Sequence, residues 1–296
     1  GFFVLLLLVI NQFGPLSIAT ETIAKASDLD KLERPNSSML REWLSYIFLV
    51  GIGGALYPQF IQRIYSARTT QGLRQSFAVM AFMPFITALI AVIIGIYALA
   101  YIPGLEGAAT DQALSSILRI VQEQSLFGYA LVVLIFSAVL AALMSTADSA
   151  MLSISSMFIK DIYGVHIRPN ASEQELTRLG KRCSWIVVGL LSLLAILLKE
   201  QTSLIGLLDR KFDLLVQLAP AFMLGIHWSG LRTGPVLIGL VLGIIIALTL
   251  AFGPFSFVVA GKVWGFHPGL YGLAVNLSYA ILGSRWLARR ENFDPI

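Results

Sequence analysis

The sequence predicts an all-α, polytopic helical membrane protein, and three observations carry that prediction. Of 296 residues, 57% are hydrophobic and 13% are charged, against about 45–50% and about 25% in an average soluble domain. The mean hydropathy is +0.79. The apolar residues also gather into eight long stretches, and about 20 apolar residues in a helix cross a hydrocarbon core of about 30 Å. A globule this apolar cannot cover itself with polar side chains, so the surplus must face lipid. This excludes a soluble enzyme, a disordered chain, a coiled coil and a nucleic-acid binder. The net charge of +4 is spread over loops rather than gathered on a face. Backbone groups cannot stay unpaired in lipid, so the spans are helices.

The eight stretches are 1–20, 43–64, 77–102, 127–162, 183–198, 203–226, 235–252 and 268–287, within one transmembrane domain. The fourth is too long to lie wholly in the membrane, so its last turns should stand in water. Gly1 opens inside an apolar run, with neither a basic leader nor a small-residue cleavage site. The expectation is that Gly1 lies within a longer membrane protein. Segment 104–126 should lie on the outer side. Its ALSSILRIVQEQ reads as a short amphipathic helix on the membrane surface. No tandem repeat is visible.

Basic residues set the orientation. Loops 63–76, 160–182, 227–233 and 285–296 hold twelve Lys and Arg, and the opposite side holds nine: Lys25, Lys31, Arg34, Arg41, Arg119, Lys199, Arg210, Lys211 and Lys262. The bias places the first set, and the C-terminus, in the cytoplasm. All five Trp lie at span ends, as an aromatic belt requires. Cys183 is alone, so no intrachain disulfide or cysteine metal cluster is expected.

Among ionisable residues, Asp148 stands out as the one deep in an apolar helix, and such a carboxylate marks a functional site by default. Its neighbourhood is AALMSTADSAMLSISSMFIKDIY, residues 141–163. At about 100° per residue, Ala142, Ser145, Thr146, Ser149, Ser153 and Ser156 share one stripe. Lys160 continues the stripe, and Asp148 flanks it. Hydroxyl and carbonyl oxygens suit a hard cation such as Na⁺ by the argument that holds for Ca²⁺ and Mg²⁺. The plainer reading is that these hydroxyls bond back to the i−4 carbonyl, or that small residues allow close packing.

The second stretch carries GIGGALYPQFIQR, residues 51–63. Three glycines and Pro58 weaken helix propagation, and interrupted spans in transporters point to a midplane binding site. Tyr57 and Gln59 would then be polar groups beside unwound backbone. A simple proline kink is the alternative. Gln217 and Pro220 in LLVQLAPAF repeat the signal weakly, as do Asn11, Gln12, Gly14 and Pro15. Gly239 and Gly243 read as packing residues. His166, His227 and His267 have no ligand spacing and read as ordinary interfacial residues. No phosphate loop, nucleophile elbow or HExxH is present, so no enzyme chemistry is expected.

AALMSTADSAMLSISSMFIKDIY closely resembles a helix of the sodium:solute symporter family. YPQFIQRIYSART resembles that family's interrupted helix and following loop, and FHPGLYGLAVNL its last helix. The resemblance implies part of a leucine-transporter-type inverted-repeat fold, five helices plus five, with extra C-terminal helices. This chain would hold core helices five to ten and two peripheral ones, with core helix one before Gly1. It implies a Na⁺ site at the carbonyl of Ala142 and the hydroxyls of Ser145 and Thr146. A second ion site in some relatives maps to Ser145, Asp148 and Ser149. Gln59 stands where many relatives carry His, a position near the substrate, and from the residues themselves Tyr57, Gln59 and Gln217 are expected to offer the solute hydrogen bonds rather than a fixed charge.

The expected function is therefore a sodium-coupled secondary active symporter that imports a small organic solute by alternating access. No cofactor is expected beyond Na⁺ as coupling ion. The partners would be the solute, the ion and the lipid bilayer, in the plasma (inner) membrane. A membrane sensor module of a signalling protein, built on the same fold, is the alternative. A passive channel is disfavoured by the broken helices and by the lack of a charged ring.

Overall fold

The computed structural model describes residues 1–25, 34–102, 104–198 and 203–291. Lys31 and Lys199 of the charge count, and the tail 292–296, lie outside the described residues. The chain is mostly helical and divides into two compact units.

The first unit begins with α1 (Phe2–Phe13) and α2 (Leu16–Lys25), bent by 59° at the break between them. The cause is local. Gly14 adopts φ +84°, a left-handed conformation that glycine takes at no cost, and Pro15 follows it. Breaking a helix inside an apolar layer orphans carbonyls. Tyr97 and Tyr101 resolve this, donating from their hydroxyls to the carbonyls of Gly14 at 2.7 Å and Phe13 at 3.2 Å. Both tyrosines belong to α5 (Thr70–Tyr101), capped by Thr69, whose hydroxyl accepts from Gly72 N at 3.1 Å. The expected interruption in the first span is thus a real break.

A 3₁₀ turn (Gly107–Gln112) leads into α6 (Ala113–Gln122). Ile117, Leu118 and Val121 of α6 pack on Leu5, Val9, Ile94 and Tyr97 in the first unit's core. The amphipathic helix expected there exists, with its apolar face turned inward. Ser125 caps α7 (Leu126–Met157), which continues as a π-helical turn over Phe158–Ile167. Helix α8 (Glu173–Leu198) closes this unit.

The second unit contains α3 (Ser37–Gly54) and the start of α4 (Pro58–Tyr65), whose end passes into the first unit. It also holds α9 (Leu204–Leu215), short 3₁₀ and π turns (Val216–Leu218, Pro220–Leu224), α10 (Gly225–His227), α11 (Thr233–Phe252), a hairpin of β1 (Val258–Val259) and β2 (Lys262–Val263), and α12 (Pro268–Glu291). Helices α11 and α12 pack backbone to backbone. A Cβ on Gly243 would lie 2.4 Å from Gln217 Oε1, and one on Gly272 would lie 2.4 Å from the carbonyl of Gly243. No side chain fits at either position, which matches the packing role expected for Gly243.

Outward-facing positions are apolar. Phe82 and Phe85 on α5 are 76% and 73% exposed, and Trp185 on α8 is 78% exposed. Such exposed apolar side chains match the lipid-facing surplus that the composition predicts. Among the described residues, four helices are long and apolar enough to cross a membrane, and six spans result if each bent pair counts as one. The stretches 203–226 and 268–287 are helical too but fall short in length or apolarity.

Candidate functional site

The stripe expected on α7 exists as a row of oxygens. Thr146 Oγ1 donates to Ala142 O at 2.9 Å, and Ser149 Oγ donates to Ser145 O at 2.9 Å. Ser156 Oγ donates to Ser153 O at 3.0 Å. These are the back-bonds that the plainer reading anticipates. They do not exclude ion contact, because a hydroxyl that donates its proton keeps its lone pairs. Ala142, Ser145 and Thr146 are all exposed on their helix, so the hydroxyl lone pairs of Ser145 and Thr146 can face outward, while the Ala142 carbonyl already accepts from the Thr146 hydroxyl and from its own helix. Farther along, Arg63 Nη2 donates to Ser149 Oγ at 3.3 Å, and Ser153 Oγ lies 2.9 Å from Gln62 Oε1. The end of α4 thus meets the stripe beside Asp148. The Asp148 carboxylate is exposed and has neither ion pair nor hydrogen bond among the described residues.

The interruption predicted around Pro58 is also real. Helix α3 stops at Gly54, and α4 restarts at Pro58 with Tyr57 in the gap. Gly53 admits Phe212 of α9, since a Cβ there would lie 3.0 Å from the ring. Phe212 meets Tyr57 edge-on at 6.0 Å and Tyr46 edge-on at 6.2 Å. Tyr57 and Gln59 are half-buried. Gln217 is fully buried, and its amide nitrogen donates to the carbonyls of Asp213 at 3.0 Å and Gly269 at 2.9 Å. Its own backbone carbonyl accepts from Asn276 Nδ2 at 2.7 Å. In this conformation, the amide donors of Gln217 are committed to joining α9 to α12.

Sequence reasoning missed a buried charged cluster in the second unit. Lys262 Nζ lies 2.5 Å from Asp209 Oδ2, 2.6 Å from His267 Nε2 and 3.4 Å from Glu42 Oε1. His267 Nδ1 lies 2.6 Å from Ser45 Oγ. Beside it, Arg210 donates to Asp213 Oδ2 at 2.9 Å and to the carbonyl of Gly261 at 3.2 Å. Gly269 N donates to Asp213 Oδ1 at 2.7 Å. His267 is therefore not an ordinary interfacial residue, being 1% exposed. Nor is Asp148 alone among apolar surroundings, since Asp209 and Asp213 are buried on α9. Arg210 and Lys211 belong to that helix, not to a loop. The available signal was the string DRKFD inside an otherwise apolar stretch, whose opposite charges can satisfy one another or a neighbour.

Glu42, Asp209 and His267 each offer a ligand atom within 4.8 Å of the others. The ammonium of Lys262 contacts all three, so the positive charge that the acids require is supplied by the chain. The arrangement is an ion-pair cluster, not a metal centre.

Residues 1–243 match the sodium:solute symporter family. The chain is 25% identical over 284 residues to the sodium/proline symporter of Escherichia coli K12, covering 93% of this chain and 52% of that protein. It is 28% identical over 228 residues to the human high affinity choline transporter 1, covering 72% and 37%. Against the osmoregulated proline transporter of Bacillus subtilis it is 26% identical over 195 residues, covering 65% and 38%. The chain thus spans about half or less of the length of these relatives. An integral membrane chain whose match covers most of its residues belongs to the sodium:solute symporter family, which consists of transporters and not enzymes.

Proposed function

We propose that the protein is a sodium-coupled symporter that imports a small organic solute by alternating access. The observation that carries this reading is the exposed oxygen row on α7, within a chain of a sodium-coupled family. Core helices five to ten of a leucine-transporter-type fold would run from α1–α2 through α9–α10, with α11 and α12 peripheral. The C-terminus lies in the cytoplasm, and the membrane is the plasma (inner) membrane.

Na⁺ is carried as a substrate. The carbonyl of Ala142 and the hydroxyls of Ser145 and Thr146 bind it, and Asp148 with Ser149 serves a second ion. The Thr146 hydroxyl, with its proton given to the Ala142 carbonyl, keeps lone pairs for a small cation, and the Ala142 carbonyl joins by releasing that bond. Tyr57, Gln59 and Gln217 supply hydrogen bonds to the solute. For Gln217 this means exchanging the carbonyl of Asp213 or Gly269 for a solute atom. The relatives named for proline and choline support a small nitrogenous solute.

The test is uptake by the full-length protein with Thr146→Ala. Loss of one ligand contact of about 1–2 kcal/mol should raise the half-saturating sodium concentration about tenfold. Uptake driven equally well without sodium would sink the reading.

A further inference from the structure

We propose that Lys211 is the solute's charge contact, so that the transported solute carries a carboxylate. This rests on the transport reading above and names its substrate class. Lys211, Tyr57 and Phe212 all belong to the second unit. The ammonium of Lys211 lies 5.1 Å from the centre of the Tyr57 ring and 4.9 Å from that of Phe212. The helix break at Pro58 is therefore not merely polar, because a fixed positive charge is held against its tyrosine.

The accounting of charges in DRKFD singles this lysine out. Asp209 is matched by Lys262, and Asp213 by Arg210 and the amide of Gly269. Lys211 is exposed and has no carboxylate partner among the described residues. An ammonium has three N–H donors, and ring faces offer it electrostatic attraction without a true acceptor. Its donors remain open to an anion. The Tyr57 hydroxyl also makes no hydrogen bond among the described residues. A carboxylate has two oxygens and accepts from both groups, while the rings hold the lysine in place.

A quaternary ammonium meets the opposite situation. The ring faces that would attract it already hold an ammonium, and like charges at this range repel. A neutral sugar would leave the lysine without a partner. Of the solute classes borne by relatives' names, an amino acid such as proline fits through its carboxylate, and choline does not.

The experiment uses full-length protein in liposomes under an inward sodium gradient. The probes are L-proline, benzoate, their amides L-prolinamide and benzamide, choline and glucose. The expected result is a sodium-dependent signal for at least one carboxylate, at a half-saturating concentration at least tenfold below that of its amide. Lys211→Met should erase that preference, and Lys211→Arg should keep it. A lysine that only stabilises the helix pair would lower the amount of folded protein without changing the carboxylate-to-amide ratio. That unchanged ratio in Lys211→Met overturns the proposal. Signals confined to choline or glucose overturn it while leaving the transport reading intact. No sodium-dependent signal from any probe removes both.

Discussion

Lys262 donates to Nε2 of His267 at 2.6 Å, and that bond fixes the tautomer of the buried imidazole. An ammonium has no acceptor, so Nε2 carries no proton. Nδ1 then bears the hydrogen and donates to Ser45 Oγ at 2.6 Å, and Ser45 passes its own proton to the carbonyl of Glu42 at 2.8 Å. With that tautomer each of these contacts has one donor and one acceptor. The net charge of the inner set is then carried by Lys262 and Asp209, with Glu42 half-exposed at its rim.

This yields a stability prediction. Removing one member of a buried ion pair strands the other, at about 3–5 kcal/mol, whereas removing both is far milder. Lys262→Met should therefore lower the unfolding temperature in detergent sharply. Asp209→Asn in the same chain should recover most of the loss. A double variant no more stable than Lys262→Met would show that the two charges do not depend on each other.

What the sequence discloses here follows from periodicity and punctuation. Gly14–Pro15 and Gly54–Pro58 announce helix breaks because glycine and proline act through the local backbone. The stripe from Ala142 to Ser156 is legible because helical angle alone places it. The tyrosines that heal the first break are not legible, since Tyr97 lies 83 positions from Gly14. The Lys262 cluster is hidden for the same reason. It joins α3, α9, β2 and the residue just before α12, and each contributor alone resembles a stray loop charge. Gln217 shows the reverse error of emphasis. Its position beside a proline draws attention as a ligand, and only the packing of α12 shows its donors already occupied.

The orientation drawn from the basic loops makes a second prediction. Thr70 begins α5, and Gly107 lies in the segment that follows it. Single cysteines at these positions, in a Cys183→Ser background, should label from opposite membrane faces, with Thr70 on the cytoplasmic side. An impermeant maleimide applied to intact cells and to inverted vesicles reads this directly. Labelling of both from one face would overturn the assignment of loops.

The last prediction concerns Asp148. A purely structural acid in a membrane helix needs a cation, and the Lys262 cluster shows what that looks like in this chain: a salt bridge of 2.5 Å, closed by neighbours on several elements. Asp148 has nothing of the kind among the described residues, although Arg63 donates to the adjacent Ser149. An exposed, unpaired carboxylate beside a row of hydroxyls is better suited to a mobile cation than to holding helices together. Asn keeps its size and its hydrogen bonding but loses the charge, so Asp148→Asn separates the two roles. The expected outcome is normal expression and folding, with the sodium-to-solute ratio reduced by one ion. The measurement is parallel flux of labelled sodium and solute, repeated across pH. A fixed ratio together with a lost pH dependence would reassign the carboxylate to a proton. A ratio and a pH profile both equal to wild type would leave Asp148 a structural residue.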